Sequence, residues 1–203
     1  YMLRNILKNN IFFAVPVIIV LLTKMAILLA ISILSVFLYP GSRGNNLNIW
    51  ELWNVWDAPH FLSIAQYGYQ TEGVEANFIV FLPLFPLLIS IFKNILQTSY
   101  LIAGYIVSAL ASIGLAIMLY KLTNLDFSKK IAIYTVFLFF VFPRSFFLHI
   151  PYTESLFIML CILTLYFIRK NYFWLAFLSA GFAGFTRITG FALIPAILFE
   201  VMI

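Results

Sequence analysis

Asp57 and His60 stand three residues apart in Trp56-Asp57-Ala58-Pro59-His60-Phe61. A carboxylate and an imidazole at that spacing share one face of a helix. A carboxylate set among aromatic rings can hold a pKa suited to accepting a proton, so the pair reads as a general base with a neighbour that orients it. Asp57 before Ala58-Pro59 also reads as a helix N-cap, because proline fits the first turn and aspartate accepts from its free N–H groups. One residue can serve in both ways. The surrounding stretch from Trp50 to Pro86 holds four of the chain's seven acidic residues (Glu51, Asp57, Glu72, Glu75), three of its four tryptophans and one of its two histidines. A chain that avoids polar groups elsewhere has gathered them here, and chemistry is expected here.

Three more polar groups follow in Phe142-Pro143-Arg144-Ser145-Phe146-Phe147-Leu148-His149-Ile150-Pro151-Tyr152-Thr153-Glu154-Ser155, namely Arg144, His149 and Glu154. Arg187 lies in Gly184-Phe185-Thr186-Arg187-Ile188-Thr189-Gly190. A buried arginine needs an anionic partner. That partner is either a carboxylate such as Glu154 or a phosphate, which the planar guanidinium fork suits. Lys24 interrupts the first apolar run and either snorkels to an interface or faces a polar cavity. Glu72 and Glu75 read as solvated loop charges that could bind a sugar or a divalent metal.

The elements that must position these groups are membrane helices. Of 203 residues, 64% are hydrophobic and 9% charged, against about a quarter charged in a soluble domain. Mean hydropathy is +1.06. Apolar runs of bilayer length recur, so the fold class is an all-α polytopic membrane protein. No alternating short segments suggest a β-barrel. The net charge of +5 reflects scarce acids, and no basic block points to nucleic acid. The single cysteine, Cys161, excludes an internal disulfide framework. Tyr at position 1 and an apolar run at residue 203 lead us to expect the N-terminal part of a longer protein. The first run is too long for a signal peptide and is expected to stay as an anchor.

Charge placement orders the spans. Arg4 and Lys8 flank the first run and mark its cytoplasmic side. Span 1 is expected at about 11–39, then an outer loop over 40–99. That loop opens irregularly at Gly41, Gly44, Asn45, Asn46 and Asn48. Helical periodicity from about Leu47 to Tyr67 predicts an interfacial helix rich in Trp and Tyr. Lys121, Lys129 and Lys130 place one later loop inside, and Arg169-Lys170-Asn171 another. Further spans are then expected at 100–120, 131–149, 152–168 and 172–190, with a truncated one at 191–203. The run 79–97 must start and finish outside, as a re-entrant or surface-lying helix. On this topology Asp57, His60, His149, Glu154 and Arg187 fall on one side of the membrane, where they would form a pocket.

The stretch W-D-A-P-H-F-L-S-I-A-Q-Y-G-Y, a following Glu and F-L-P-L-F-P resemble the PIG-V-type family of GPI mannosyltransferases and its prokaryotic relatives. Pro151-Tyr152-Thr153-Glu154-Ser155-Leu156 is similar to that family's Y-S/T-E-S-L stretch, and T-R-I-T-G to its R-x-x-G segment. The three occur in the expected order over residues 50–190. Phe81-Leu82-Pro83 departs mildly from the family's Phe-Phe-Pro run. The resemblance implies a GT-C-type bundle whose large first outer loop carries surface helices. It implies a mannosyltransferase-like transferase moving a sugar, with inversion, from a polyprenyl-phosphate donor to an unknown lipid or glycan acceptor. Asp57 takes the position of the first-loop acid. Asp57 and His60 are the catalytic candidates, and Arg187, Glu154, Lys24, His149 and Glu75 the substrate-binding ones. No cofactor is required, although Glu72 or Glu75 could hold a divalent metal. The expected place is the cell membrane or the endoplasmic reticulum, with the site on the outer or lumenal face. The rival reading is a non-catalytic multispan protein, a transporter or an assembly subunit.

Overall fold

The computed structural model describes residues 2–38 and 49–202. The side chains of Arg4 and Lys8 and the loop opening expected at 39–48 fall outside the described part. Among the described residues every regular element is helical. Helix α1 runs Met2–Leu38, α2 Ala58–Tyr67, α3 Leu84–Leu96, α4 Tyr100–Asp126, α5 Lys129–Val141, α6 Glu154–Arg169, α7 Phe173–Thr186 and α8 Leu193–Met202. Short 3-10 turns at Ile49–Trp53, Val74–Val80, Pro143–Leu148 and Ile188–Ala192 link them.

Among the described residues two helices are long and apolar enough to cross a bilayer: Ala14–Ser35 within α1, with mean hydropathy 2.8, and α4, with 2.2. The pair Val74–Val80 and α3, bent by 109°, has the composition of a third. Helices α5, α6 and α7 have 13, 16 and 14 residues, short of the ~20 that cross 30 Å in one piece. Two breaks have a local cause. The helix expected over 131–149 stops at Val141 because Pro143 lacks an N–H and disfavours helical backbone in Phe142, whose ψ is 139°. The interfacial helix expected from Leu47 divides into the turn at 49–53 and α2. The Pro59 ring would strike the Val55 carbonyl if the helix ran on upstream.

Helix α4 is the centre, packing against α1, α3, α5 and α6. Gly104, Ser108, Ser112 and Ala116 repeat at four-residue steps on it, and all four are buried. Small residues let backbones approach, which is how helices associate where no water drives them together. Here they admit the connection 142–153, which is not α-helical. The Leu148 carbonyl accepts from Ser112 Oγ at 2.7 Å, and the Tyr152 carbonyl from Ser108 Oγ at 3.4 Å. Helices α6 and α7 are clipped by Thr164 and Ser179, whose hydroxyls lie 2.9 Å apart.

The chain's charges divide along α4 and α6, which run in parallel. Their C-terminal ends meet in a two-pronged pair, Arg169 to Asp126, at 2.6 and 2.9 Å. Lys121, Lys129, Lys130 and Lys170 belong to the same end by sequence. The N-terminal ends carry the carboxylate Glu154 and the connection from Pro143 to Thr153.

A Cβ on Gly104 would come within 2.9 Å of the Pro151 Cβ. Gly104→Ala is expected to cost about 1–3 kcal/mol by overpacking, read as a lower thermal midpoint of the purified protein. An unchanged midpoint would show that the connection is not held against α4.

Candidate functional site

The site forms where three distant stretches meet. Asp57 is N-terminal to α2, Glu154 opens α6, and Arg187 closes α7; all three line one cleft of about 240 Å³. Phe61, Phe81 and Tyr152 form its aromatic wall. Phe61 stands edge-on to Phe81, Phe85 and Tyr152 at 5.0, 5.4 and 6.3 Å.

Asp57 occupies the N-cap position of α2, yet its carboxylate makes no capping bond. Its backbone carbonyl accepts from the His60 and Phe61 N–H groups instead. The residue is exposed. Its position comes from Tyr152. That phenol accepts from the Asp57 N–H at 2.8 Å and donates to the Val55 carbonyl at 3.2 Å, closing the loop over the 146–152 segment. Ala58, Ile150 and Tyr152 are buried together beneath it. Trp56 sits at φ 54°, in the left-handed region, and its ring lies 6.3 Å from Phe146 and 6.1 Å from Phe147. A bulky residue at positive φ persists only where its surroundings impose it, and such strain gathers at functional sites.

Glu154 and Arg187 pair at 2.6 Å between Oε1 and Nη1. The carboxylate stands in the first turn of α6 and the guanidinium at the end of α7, so each complements its helix dipole. Arg187 itself is extended, with φ −147° and ψ 136°. Its fork is 44% exposed and Glu154 26%, so the pair adds little to stability and chiefly holds geometry. The second oxygen of Glu154, Oε2, is buried and makes no hydrogen bond among the described residues. A Cβ on Gly190 would overlap the Ala183 carbonyl, so this glycine is what lets the chain after Arg187 fold back on α7.

The other expected residues are placed elsewhere. The His60 ring lies 4.4 Å from Phe78 and 5.3 Å from Phe81, behind the cleft wall and not on its lining. Glu72 and Glu75 are exposed and do not line the cleft. Lys24 and His149 line a different groove, between α1 and α4, which shares no residue with the cleft. Tyr69 donates to the Phe81 carbonyl at 2.5 Å, and burial raises its phenol pKa, so it stays a donor that fixes the wall.

Sequence reasoning passed over Tyr152, Thr153, Thr186 and Thr189 as site residues, and all four line the cleft. The available signal was adjacency, since each lies within two residues of Glu154 or Arg187.

A membrane protein with an acid, a carboxylate–guanidinium pair and hydroxyls converging at helix ends is the class defined so far. The chain belongs to the PIG-V mannosyltransferase family: a family model described as "Mannosyltransferase (PIG-V)" matches residues 42–203. It matches no curated protein and no solved structure. Membership supports a membrane glycosyltransferase, with a sugar donor and an acceptor.

Tyr152→Phe removes the acceptor of the Asp57 N–H and is expected to cost about 1–2 kcal/mol of stability. It should also lower transfer activity, measured side by side with the thermal midpoint. A drop in stability with activity unchanged would show that the clip does not place Asp57.

Proposed function

We propose that the chain carries the catalytic part of a mannosyl transfer from a polyprenyl-phosphate donor, at the cleft of Asp57, Glu154 and Arg187. The observation that carries this reading is the convergence itself: three charged residues spread over 131 positions, in a chain with only seven acids, line one small cleft. Family membership supplies the sugar.

On this reading Asp57 takes the proton from the acceptor hydroxyl as that oxygen attacks the anomeric carbon. The new carbon–oxygen bond forms as the bond to the phosphate oxygen breaks. The electron pair leaves with the lipid phosphate, and configuration inverts. A carboxylate with no capping hydrogen bond among the described residues is free for this, and proton transfer of this kind contributes about 10²–10⁴ in rate. Arg187 has one nitrogen on Glu154 and further N–H groups for the departing phosphate, whose charge it stabilises. The free Glu154 oxygen and the Thr153, Thr186 and Thr189 hydroxyls hold the sugar. His60 acts through Phe81, as packing behind the wall.

The lipid tail has a place next to the cleft. An apolar groove of about 500 Å³ between α5 and α6 is lined by Leu138, Phe139, Phe142 and Ile158, with Arg144 and Glu154 at its polar end. Glu154 belongs to both cavities. We place the site on the outer or lumenal face of a multi-pass protein, because Lys121, Lys129, Lys130 and Lys170 gather with the Asp126–Arg169 pair at the other end, as the positive-inside rule requires of a cytoplasmic end.

Full-length protein in membranes, given labelled polyprenyl-phosphate mannose, should transfer or hydrolyse the label. Asp57→Asn should lower that rate by about a hundredfold or more while expression is unchanged. Equal rates would remove Asp57 as the base. A lipid monophosphate carries less charge than a nucleotide diphosphate, and Arg187 already supplies a cation. Transfer should therefore keep its rate in a chelator. A loss restored by a divalent cation would overturn that and turn attention to Glu72 and Glu75.

A further inference from the structure

Lys24 stands in the apolar span of α1. Its ammonium donates to the Leu148 carbonyl at 2.9 Å. That carbonyl already accepts from Ser112. All seven carboxylates of the chain lie in the described part. Arg169 pairs with Asp126 and Arg187 with Glu154, while the hydrogen bond of Lys24 goes to a backbone carbonyl. Beside it His149 is 5% exposed. Neither of its ring nitrogens makes a hydrogen bond among the described residues. The Phe140 carbonyl is close enough to be felt, but it accepts from Ser145 at 2.6 Å. A half-buried ammonium without an anion, next to a buried imidazole whose nitrogens make no hydrogen bond among the described residues, is costly in apolar surroundings.

Both groups line one groove of about 290 Å³ between α1 and α4. Its remaining walls are apolar, from Leu21, Met25 and Leu28 on α1 to Ile102 and Ile106 on α4. At one end stand Trp50 and Tyr105, edge-on at 5.1 Å, with the Tyr105 hydroxyl donating to the Trp50 carbonyl at 2.9 Å. Measured along α4 from Asp126, Ser112 lies about 21 Å away and Tyr105 about 32 Å, at 1.5 Å per residue. Across a hydrocarbon core of about 30 Å, the aromatic end then reaches the headgroup level, where Trp and Tyr prefer to sit. Lys24 lies about 10 Å below, within reach of snorkelling.

We propose that this groove is a binding site for an anionic membrane phospholipid, separate from the transfer cleft. The phosphodiester carries one negative charge and meets one ammonium. Its oxygens accept the N–H groups of Lys24 that Leu148 leaves over, together with one from His149, and an acyl chain fills the apolar walls. A charge match of one to one favours a phosphodiester over a phosphomonoester, which is close to doubly charged at neutral pH. Lys24 precedes residues 42–203, the range of the family match. The proposal rests on α1 and α4 lying in the bilayer and not on the transfer reaction.

The test uses full-length protein, purified in detergent and stripped of lipid. Short-chain phosphatidylglycerol, phosphatidylcholine and inorganic phosphate are added separately, and thermal unfolding is followed. Phosphatidylglycerol should raise the midpoint saturably, and the other two should not. Lys24→Met should weaken that response about tenfold or more, the loss expected when a hydrogen bond to a charged partner goes. Lys24→Arg should keep it. An equal shift with phosphatidylcholine or with inorganic phosphate, or a response kept by Lys24→Met, would overturn the proposal. So would stabilisation by a polyprenyl-phosphate sugar that phosphatidylglycerol does not match, since the groove would then belong to the donor. If Lys24→Met does not fold, the comparison of lipids on the unsubstituted protein decides by itself.

Discussion

The structure depends on satisfying the carbonyl groups of a segment that breaks from the α-helices inside an apolar bundle. Residues 142–153 leave the α-helical ladder, and their carbonyl oxygens have no water to turn to in a bilayer. Ser112 and Lys24 take Leu148, Ser108 takes Tyr152, and the Ser145 and His149 N–H groups take Phe142 and Phe146. The hydroxyls can reach because Gly104 and the serines leave the face of α4 low. Larger side chains there would hold the segment off and leave the carbonyls unpaired at a cost of about 1–3 kcal/mol each. Once the segment is seated, the Tyr152 phenol is in place, and the loop bearing Asp57 closes on it. The path from a stripe of small residues to the position of a proposed base has two hydrogen-bonded links.

The charged pair follows a different logic. Helices α6 and α7 run antiparallel, so the start of one lies beside the end of the other. A carboxylate at the first and a guanidinium at the second suit both dipoles and each other. Their exposure means the pair contributes modestly to stability. Its use is geometric: Glu154 fixes one nitrogen of Arg187, and the remaining donors are aimed without a further loss of side-chain freedom. Gly190 keeps this arrangement by allowing the chain to turn back on Ala183 straight after Arg187.

The helical class and the grouping of Asp57, Glu154 and Arg187 were legible because they rest on composition and on charge counting, which need no side-chain direction. The helix breaks were less so. Pro143 and Pro59 were visible, but apolar periodicity ran through both, and hydropathy does not register a missing N–H. Lys24 and His149 were substrate-binding candidates, and they line another groove. Depth along a helix can be counted from sequence, whereas rotation about its axis cannot when the helix is apolar on every side. His60 shows the same limit at short range. It stands one turn from Asp57 by spacing, but the imidazole packs on Phe78 and Phe81, and of the two only Asp57 lines the cleft.

The two cavities that share Glu154 give the proposed transfer a physical rationale. A lipid-linked sugar is polar at one end and hydrocarbon at the other, and the bond to be broken lies at the junction. A site for it needs a polar cleft that opens directly into an apolar groove, with charge at the boundary and not deep in either. Here the cleft has hydroxyls and carboxylates, the groove has Leu138, Phe139 and Ile158, and Glu154 stands between them. Arg187 on the cleft side and Arg144 on the groove side bracket that boundary. A phosphate held between them would keep its tail in hydrocarbon and turn its sugar toward Asp57. An arrangement for a water-soluble nucleotide sugar would have no use for the groove, and one for a lipid alone would have none for the exposed acid.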